Sequence, residues 1–296
     1  MSFYKINYEQ LRQQAEISAI LSALEKGFSI FGIDFYLVGA VARDAWMNGI
    51  NKIAPGRTTG DIDFAVLIND KGVYEQLKEY LIKEKGFQPS KENAFVLIKD
   101  NTEVDLLPFG AIEDEHGRVT VQGTGYTTMD VPGFKEVYDA GLPQMELSAE
   151  HGESSTHTFK FSTLPGIVLL KLLAWDDRPE SRRDDIKDIS DILNHFFDMY
   201  DEEIWANHND LFENEDDNLK WIAARVMGRE ISKIAKKNEK LFARIDGILQ
   251  TNTADIAHSH MATIMIEYFD NTMEDCVTLV KQLKQGFTEQ HNLKSA

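Results

Sequence analysis

Two hydrophobic rhythms divide the chain. Between residues 11 and 31 apolar positions recur every three or four residues, with Ile17, Ile20, Leu21, Leu24 and Phe28 on one stripe. That spacing predicts an opening helix ending by Gly27 or Gly32. The run from Phe35 to Val38 reads as a buried strand, Gly39-Ala40 as a tight turn, and a helix is expected to start near Val41. Asp61-Ile62-Asp63-Phe64-Ala65-Val66-Leu67-Ile68 is strand-like again, and 73–85 reads as a surface helix closed by Gly86. A hairpin from Phe95 to Pro108 is predicted around the turn Lys99-Asp100-Asn101-Thr102. Residues 113–118 read as an exposed turn, and 119–161 as short strands between Gly- and Pro-marked turns.

From Thr163 onward the period is helical throughout. Helices are expected over 164–175, 183–199, 219–227 with Asn218 as cap, 231–249, 254–269 and 273–286. The acidic stretch from Asp198 to Asp217 is expected to include a solvated connection. The fold class is therefore α+β: a small mixed sheet with helices over 1–162, then a helical domain over 163–296.

The chemistry gathers on the predicted sheet. Residues two apart on a strand project from one face, roughly 6 to 7 Å apart, so Asp61 and Asp63 face a common site. If the hairpin forms, Asp105 lies on a neighbouring strand and makes a third acid. Crowded carboxylates repel one another, and a bound cation reverses the sign of that interaction. Oxygen ligands suit Mg2+ or Mn2+, which bridge triphosphate oxygens in phosphoryl transfer. At Gly39-Ala40 the small residues would let a triphosphate approach the backbone. Each piece also has an ordinary reading, since Asp-x-Asp can be a turn acid and Gly-Ala follows many strands. Order and spacing together make the combination specific.

Hydrophobic content of 43% and charged content of 27% are those of a globular protein. The one cysteine, Cys276, cannot close an intrachain disulfide. No apolar leader opens the chain and no stretch is long enough to span a bilayer, so a cytoplasmic protein without membrane contact is expected. A net charge of −18 repels polyanions at long range. Against it, Arg225, Arg229, Lys233, Lys236, Lys237 and Lys240 form a local basic stripe between Lys220 and Arg244. The stripe reads either as the solvated face of an amphipathic helix or as a contact for RNA or a triphosphate. His258 and His260 are two apart on an expected helix and so do not face one metal.

Val38-Gly39-Ala40-Val41-Ala42-Arg43-Asp44, Asp61-Ile62-Asp63, Val104-Asp105-Leu106-Leu107-Pro108-Phe109-Gly110 and the segment from Leu164 to Trp175 resemble the AbiEii-type nucleotidyltransferases of the DNA polymerase β-like superfamily. The likeness extends through Asp177-Arg178 and Lys187-Asp188-Ile189-Ser190-Asp191-Ile192, about the first two thirds of the chain. It implies a nucleotidyltransferase-fold sheet and a toxin-like enzyme using a nucleoside triphosphate and magnesium. Some members of that family modify transfer RNA ends. By resemblance Gly39, Ala40 and Arg43 line the nucleotide, while Asp61, Asp63 and Asp105 ligate metal. Lys171 matches a lysine near the triphosphate, and Asp188 the acid of a later Lys-Asp motif, with a structural or catalytic role. Gly39-Ala40 replaces the Gly-Ser or Gly-Gly common in the superfamily, so backbone donors must serve where a serine hydroxyl would.

Lys171 also has an ordinary reading, a stem snorkelling from a half-buried face. Its neighbours Leu169, Leu170, Leu172 and Leu173 leave little solvent-facing room, which favours a buried anionic partner. Three functions compete. The first is a metal-dependent nucleotidyltransferase acting on tRNA, with a cognate antitoxin as a further partner. The second is a nucleotidyltransferase for a small cationic acceptor of the aminoglycoside type, which the acidic composition suits. The third is a non-catalytic nucleotide-binding partner protein, against which the three acids argue. In the enzymatic readings Asp105 activates the acceptor hydroxyl, as general base or by holding the metal. No Gly-rich phosphate loop, Gly-x-Ser-x-Gly elbow or Cys/His zinc spacing offers another chemistry.

Overall fold

The computed structural model describes residues 2–11, 17–54, 60–148, 156–212, 218–268 and 272–292. The chain divides into two compact units, Met1–Thr163 and Leu164–Ala296.

In chain order the first unit forms β1 (Phe3–Asn7), α1 (Ile17–Phe31), β2 (Asp34–Val38), α2 (Gly39–Asp44), β3 (Asp61–Leu67) and α3 (Lys71–Lys85). It continues through β4 (Gln88–Pro89), β5 (Val96–Lys99), β6 (Thr102–Phe109), β7 (Arg118–Thr120), β8 (Thr128–Asp130), α4 (Phe134–Ala140), β9 (Gln144–Ser148) and β10 (His157–Phe161). Eight strands make one mixed sheet in the order β1-β9-β10-β2-β3-β6-β5-β4, and β7 pairs with β8 apart from it.

Local sequence explains most of these elements. Helix α1 buries Ile17, Ile20, Leu21, Leu24 and Phe28, as its stripe predicts, and stops before Gly32 at φ +63; residues 12–16 of the expected helix lie outside the described residues. Asp70 caps α3 by accepting from the Val73 N–H, and Gly86 closes that helix at φ +74. The β5–β6 hairpin turns through Asp100 and Asn101, both at positive φ, as a two-residue turn with right-handed strand twist requires. The exposed turn at 113–118 is organised by Asp114, whose carboxylate accepts from the N–H groups of His116 and Arg118. Three elements lie outside the expectations, the first being the two-residue strand β4, paired with β5. Strand β1 finds its partner β9 about 140 residues away, beyond the reach of local pattern, and α4 is a short helix within the stretch read as strands.

Core packing fastens the sheet's middle. Ile62, Phe64, Val104 and Leu106 are buried at alternate positions of β3 and β6. Tyr74 of α3 donates its hydroxyl to the Leu106 carbonyl, and Tyr36 of β2 donates to that of Phe134. His157, 1% exposed, bridges Ser18 and Glu25 and so ties β10 to α1.

The second unit is helical: α5 (Leu164–Asp177), α6 (Arg183–Asn207), α7 (Leu219–Ala235), α8 (Glu239–Thr251), α9 (His260–Met265) and α10 (Met273–Asn292). Asn218 caps α7 as expected. Three boundaries are corrected. Helix α6 continues eight residues beyond Met199 with a kink at Tyr200, so 198–207 is helix rather than connection; 213–217 lie outside the described residues. Helix α7 runs through Gly228, and the break falls instead at Asn238, which caps α8. Gly228 is a packing residue: a Cβ there would come within 2.0 Å of the Leu283 carbonyl oxygen, and one on Gly286 within 1.8 Å of that of Arg225. The two glycines let the backbones of α7 and α10 touch. Finally, the helix expected over 254–269 is a short turn over Ile256–His258 followed by α9, each started by its own cap, Asp255 and Ser259. Among the described residues no helix is long and apolar enough to cross a membrane.

Candidate active site

Sheet register builds the site. In the parallel pair β3–β6, Asp63 stands opposite Asp105, and Asp61, two residues before Asp63, projects from the same face. One carboxylate oxygen from each of the three lies within 4.8 Å of the others. All three side chains are partly exposed, while Ile62 and Val104 between them are buried. The described residues hold no other group of three His, Cys, Asp or Glu that could share a cation. The donor set consists of carboxylate oxygens alone, which fits a hard divalent ion such as Mg2+ or Mn2+ and not the nitrogen and sulfur preference of zinc.

Gly39 completes the wall. Strand β2 pairs antiparallel with β3 so that Val38 is opposite Asp63, which sets the next residue against the Asp63 side chain. Gly39 adopts φ +66, and a Cβ on it would lie 2.0 Å from Asp63 Oδ2 and 2.7 Å from its Cγ. The turn is glycine for two independent reasons: the left-handed backbone and the carboxylate beside it. Ala40 follows at the start of α2, buried. Near Asp105, burial pushes the Tyr74 phenol well above its usual range, and the charges of Glu75 and Asp105 add to the effect, so Tyr74 stays a donor.

Arg43 is not part of this wall. It is fully buried, and its guanidinium donates from Nε and Nη2 to Asp44 Oδ1 at 2.9 and 2.6 Å. The residue expected to line the nucleotide is thus a fully buried guanidinium bonded to the adjacent carboxylate.

In the helical unit Lys171 finds the buried anionic partner that its apolar surroundings favour, and the partner belongs to the chain. Its Nζ donates to Asp185 Oδ1 at 2.8 Å and lies 2.7 Å from Asp188 Oδ2. Asp188 is fully buried, and Lys171 and Asp185 nearly so. Burial works against the charge on Lys171, but Asp185 and Asp188 outweigh it and hold the ammonium above the ordinary lysine range. The resemblance names only Asp188; the lysine meets Asp185 as well, one turn earlier on α6.

Half of the basic stripe, Arg225, Arg229 and Lys233, is paired with acids of the chain itself. Arg225 pairs with Glu289 at 2.7 Å, and Arg229, 6% exposed, grips Asp210 through two bonds of 2.8 and 2.6 Å and also meets Glu289. The bond to Asp210, with Glu289 beside it and against the cost of burial, holds Arg229 more firmly charged than an ordinary arginine. Lys233 pairs with Glu230, and Arg244 with Asp176 and Asp177. Partners some 60 residues away along the chain leave no local trace in a sequence. His258 turns its Nδ1 to Asp255 while the His260 ring packs 5.6 Å from Trp175, so the two histidines serve separate contacts.

No family model matches the chain, and no curated protein does. Among solved structures, the antibiotic-resistance factor ANT(2'')-Ia matches at 13% identity and a TM-score of 0.33, over 57% of this chain and 77% of its own. A tRNA nucleotidyltransferase, solved with a primer tRNA and an incoming ATP analogue, matches at 13% identity and a TM-score of 0.23, over 92% of this chain and 100% of its own.

Proposed function

We propose that the chain is a metal-dependent nucleotidyltransferase that moves a nucleoside monophosphate from a triphosphate to an acceptor hydroxyl and releases pyrophosphate. The observation that carries this reading is the meeting of Asp61, Asp63 and Asp105 within 4.8 Å, walled by a glycine turn. A Mg2+ or Mn2+ ion bound there would neutralise triphosphate oxygens and make the acceptor hydroxyl more acidic. Asp61 and Asp63 hold the ion. Asp105 sits in register with Asp63 and either takes the acceptor proton or shares the ion. The Gly39-Ala40 turn offers backbone N–H groups and no bulk to the triphosphate. By resemblance to the AbiEii-type enzymes we assign Lys171 and Asp188, which form a buried ion pair within the helical unit, to a nucleotide-contacting lysine and its acid.

The resemblance to AbiEii-type enzymes supports a tRNA acceptor, a toxin-like role and a cognate antitoxin. A second reading, a cationic small acceptor of the aminoglycoside type, is favoured by two observations: the net charge of −18 and the internal pairing of Arg225 and Arg229. The purified protein should be incubated with Mg2+, each α-labelled triphosphate and either total tRNA or an aminoglycoside. Label transfer with pyrophosphate release supports the enzyme, and the acceptor that gains label decides between the readings. Triphosphate binding without turnover in any combination would favour a nucleotide-binding partner protein instead.

A further inference from the structure

Phe197, Trp205 and Phe212 form an aromatic cluster on the helical unit. Trp205 stacks on Phe212 with centroids 4.1 Å apart and planes 20° apart, and Phe197 meets the two edge-on at 6.1 and 6.4 Å. Such a cluster would normally belong to a core, yet Trp205 is 52% exposed. Exposed aromatic groups of this kind are the commonest anchors of protein interfaces.

The surroundings of the cluster are acidic. Residues 198–212 include Asp198, Asp201, Glu202, Glu203 and Asp210 and no lysine or arginine. Asp210 is taken by Arg229, whereas Asp198, Asp201 and Glu202 are exposed and make no ion pair among the described residues. Beyond the kink at Tyr200, Asp201 and Glu202 lie about one turn before Trp205 on α6, so acid and aromatic share a face.

We infer that this face docks a cationic amphipathic segment of a partner protein, whose apolar side chains cover Trp205 and Phe212 while its lysines or arginines meet Asp198, Asp201 and Glu202. The same charges repel nucleic acid and anionic lipid. Pairing with a second copy would set acid against acid across a two-fold axis.

The test uses the full chain and three labelled peptides: an amphipathic Leu/Lys helix, its Leu/Glu counterpart and a lysine-only peptide. Anisotropy should show Leu/Lys binding that weakens with salt, falls roughly tenfold or more in Trp205→Ala, and recovers in Trp205→Phe. Lysine-only binding should be weaker and indifferent to position 205, and Leu/Glu should not bind. Unchanged Leu/Lys affinity in Trp205→Ala, or no affinity in the wild type, overturns the inference. Light scattering that shows a Trp205-dependent dimer assigns the face to self-association and overturns it equally.

Discussion

Replacing Gly39 by alanine separates a backbone cost from a site cost, because Gly32 provides a matched control. Both residues are left-handed, at φ +66 and +63, and a Cβ at Gly32 meets nothing within 4 Å. Gly32→Ala should therefore lose only the left-handed penalty of about 1–2 kcal/mol. In a unit of this size that is roughly 2–8 °C of melting temperature. At Gly39 the added Cβ would also lie 2.0, 2.7 and 3.1 Å from Oδ2, Cγ and Cβ of Asp63. Ordinary carbon contacts sit near ~3.5–4.0 Å. Overlap with Cγ as well as the oxygen means that turning the carboxylate alone cannot relieve it; Asp63 must change rotamer and leave its partners. Overpacking of this kind costs about 1–3 kcal/mol more. Urea denaturation gives the stability difference between the variants, and Mn2+ binding followed by electron paramagnetic resonance gives the site effect. Gly39→Ala should be less stable than Gly32→Ala and bind Mn2+ much more weakly, while Gly32→Ala binds like the wild type. Equal stabilities, or full Mn2+ affinity in Gly39→Ala, would refute the reasoning.

Three further outcomes are expected. Lys171→Met leaves Asp185 and Asp188 buried without their cation and should cost about 3–5 kcal/mol in urea denaturation. Because the folded lysine titrates above its ordinary value, its contribution is complete at neutral pH and fades as pH rises through that raised value, so the alkaline fall in stability should be shallower in the variant. Gly286→Ala sets a Cβ against the Arg225 carbonyl and should lower the stability of the helical unit by about 1–3 kcal/mol, measured by calorimetry. Burial, with Asp275 adding to it, pushes the Cys276 thiol up to about 11, so a disulfide reagent at pH 8 should react with no thiol in the native protein and with one after denaturation.

Local chemistry made half of the site readable. Asp61 and Asp63 share a face because strand period is two, and the hairpin through Asp100-Asn101 that carries Asp105 is a short-range signal. The register that sets Asp63 beside Asp105, and Val38 opposite Asp63, is non-local, so the contact of Gly39 with Asp63 emerges only in the folded sheet. Charged groups were the least readable. Arg43, Arg225 and Arg229 resemble available cations in a linear sequence, yet each is committed to an acid: the adjacent residue for Arg43, and acids on other helices or turns for the others. Gly228 resembled a helix break because a missing side chain signals a turn as readily as a close helix crossing; the choice was made by α10, some 60 residues later.

The most direct test of the metal-centred account is Mn2+ titration of the wild type and of the Asp61→Asn/Asp63→Asn double variant, with melting temperature read without metal. The account predicts tight triphosphate-enhanced Mn2+ binding in the wild type and its loss in the variant. It also predicts that the metal-free variant melts no lower than the wild type, since two of three mutually repelling charges are gone. Mn2+ binding of equal strength in both proteins would contradict the assignment of Asp61, Asp63 and Asp105 as a cation site.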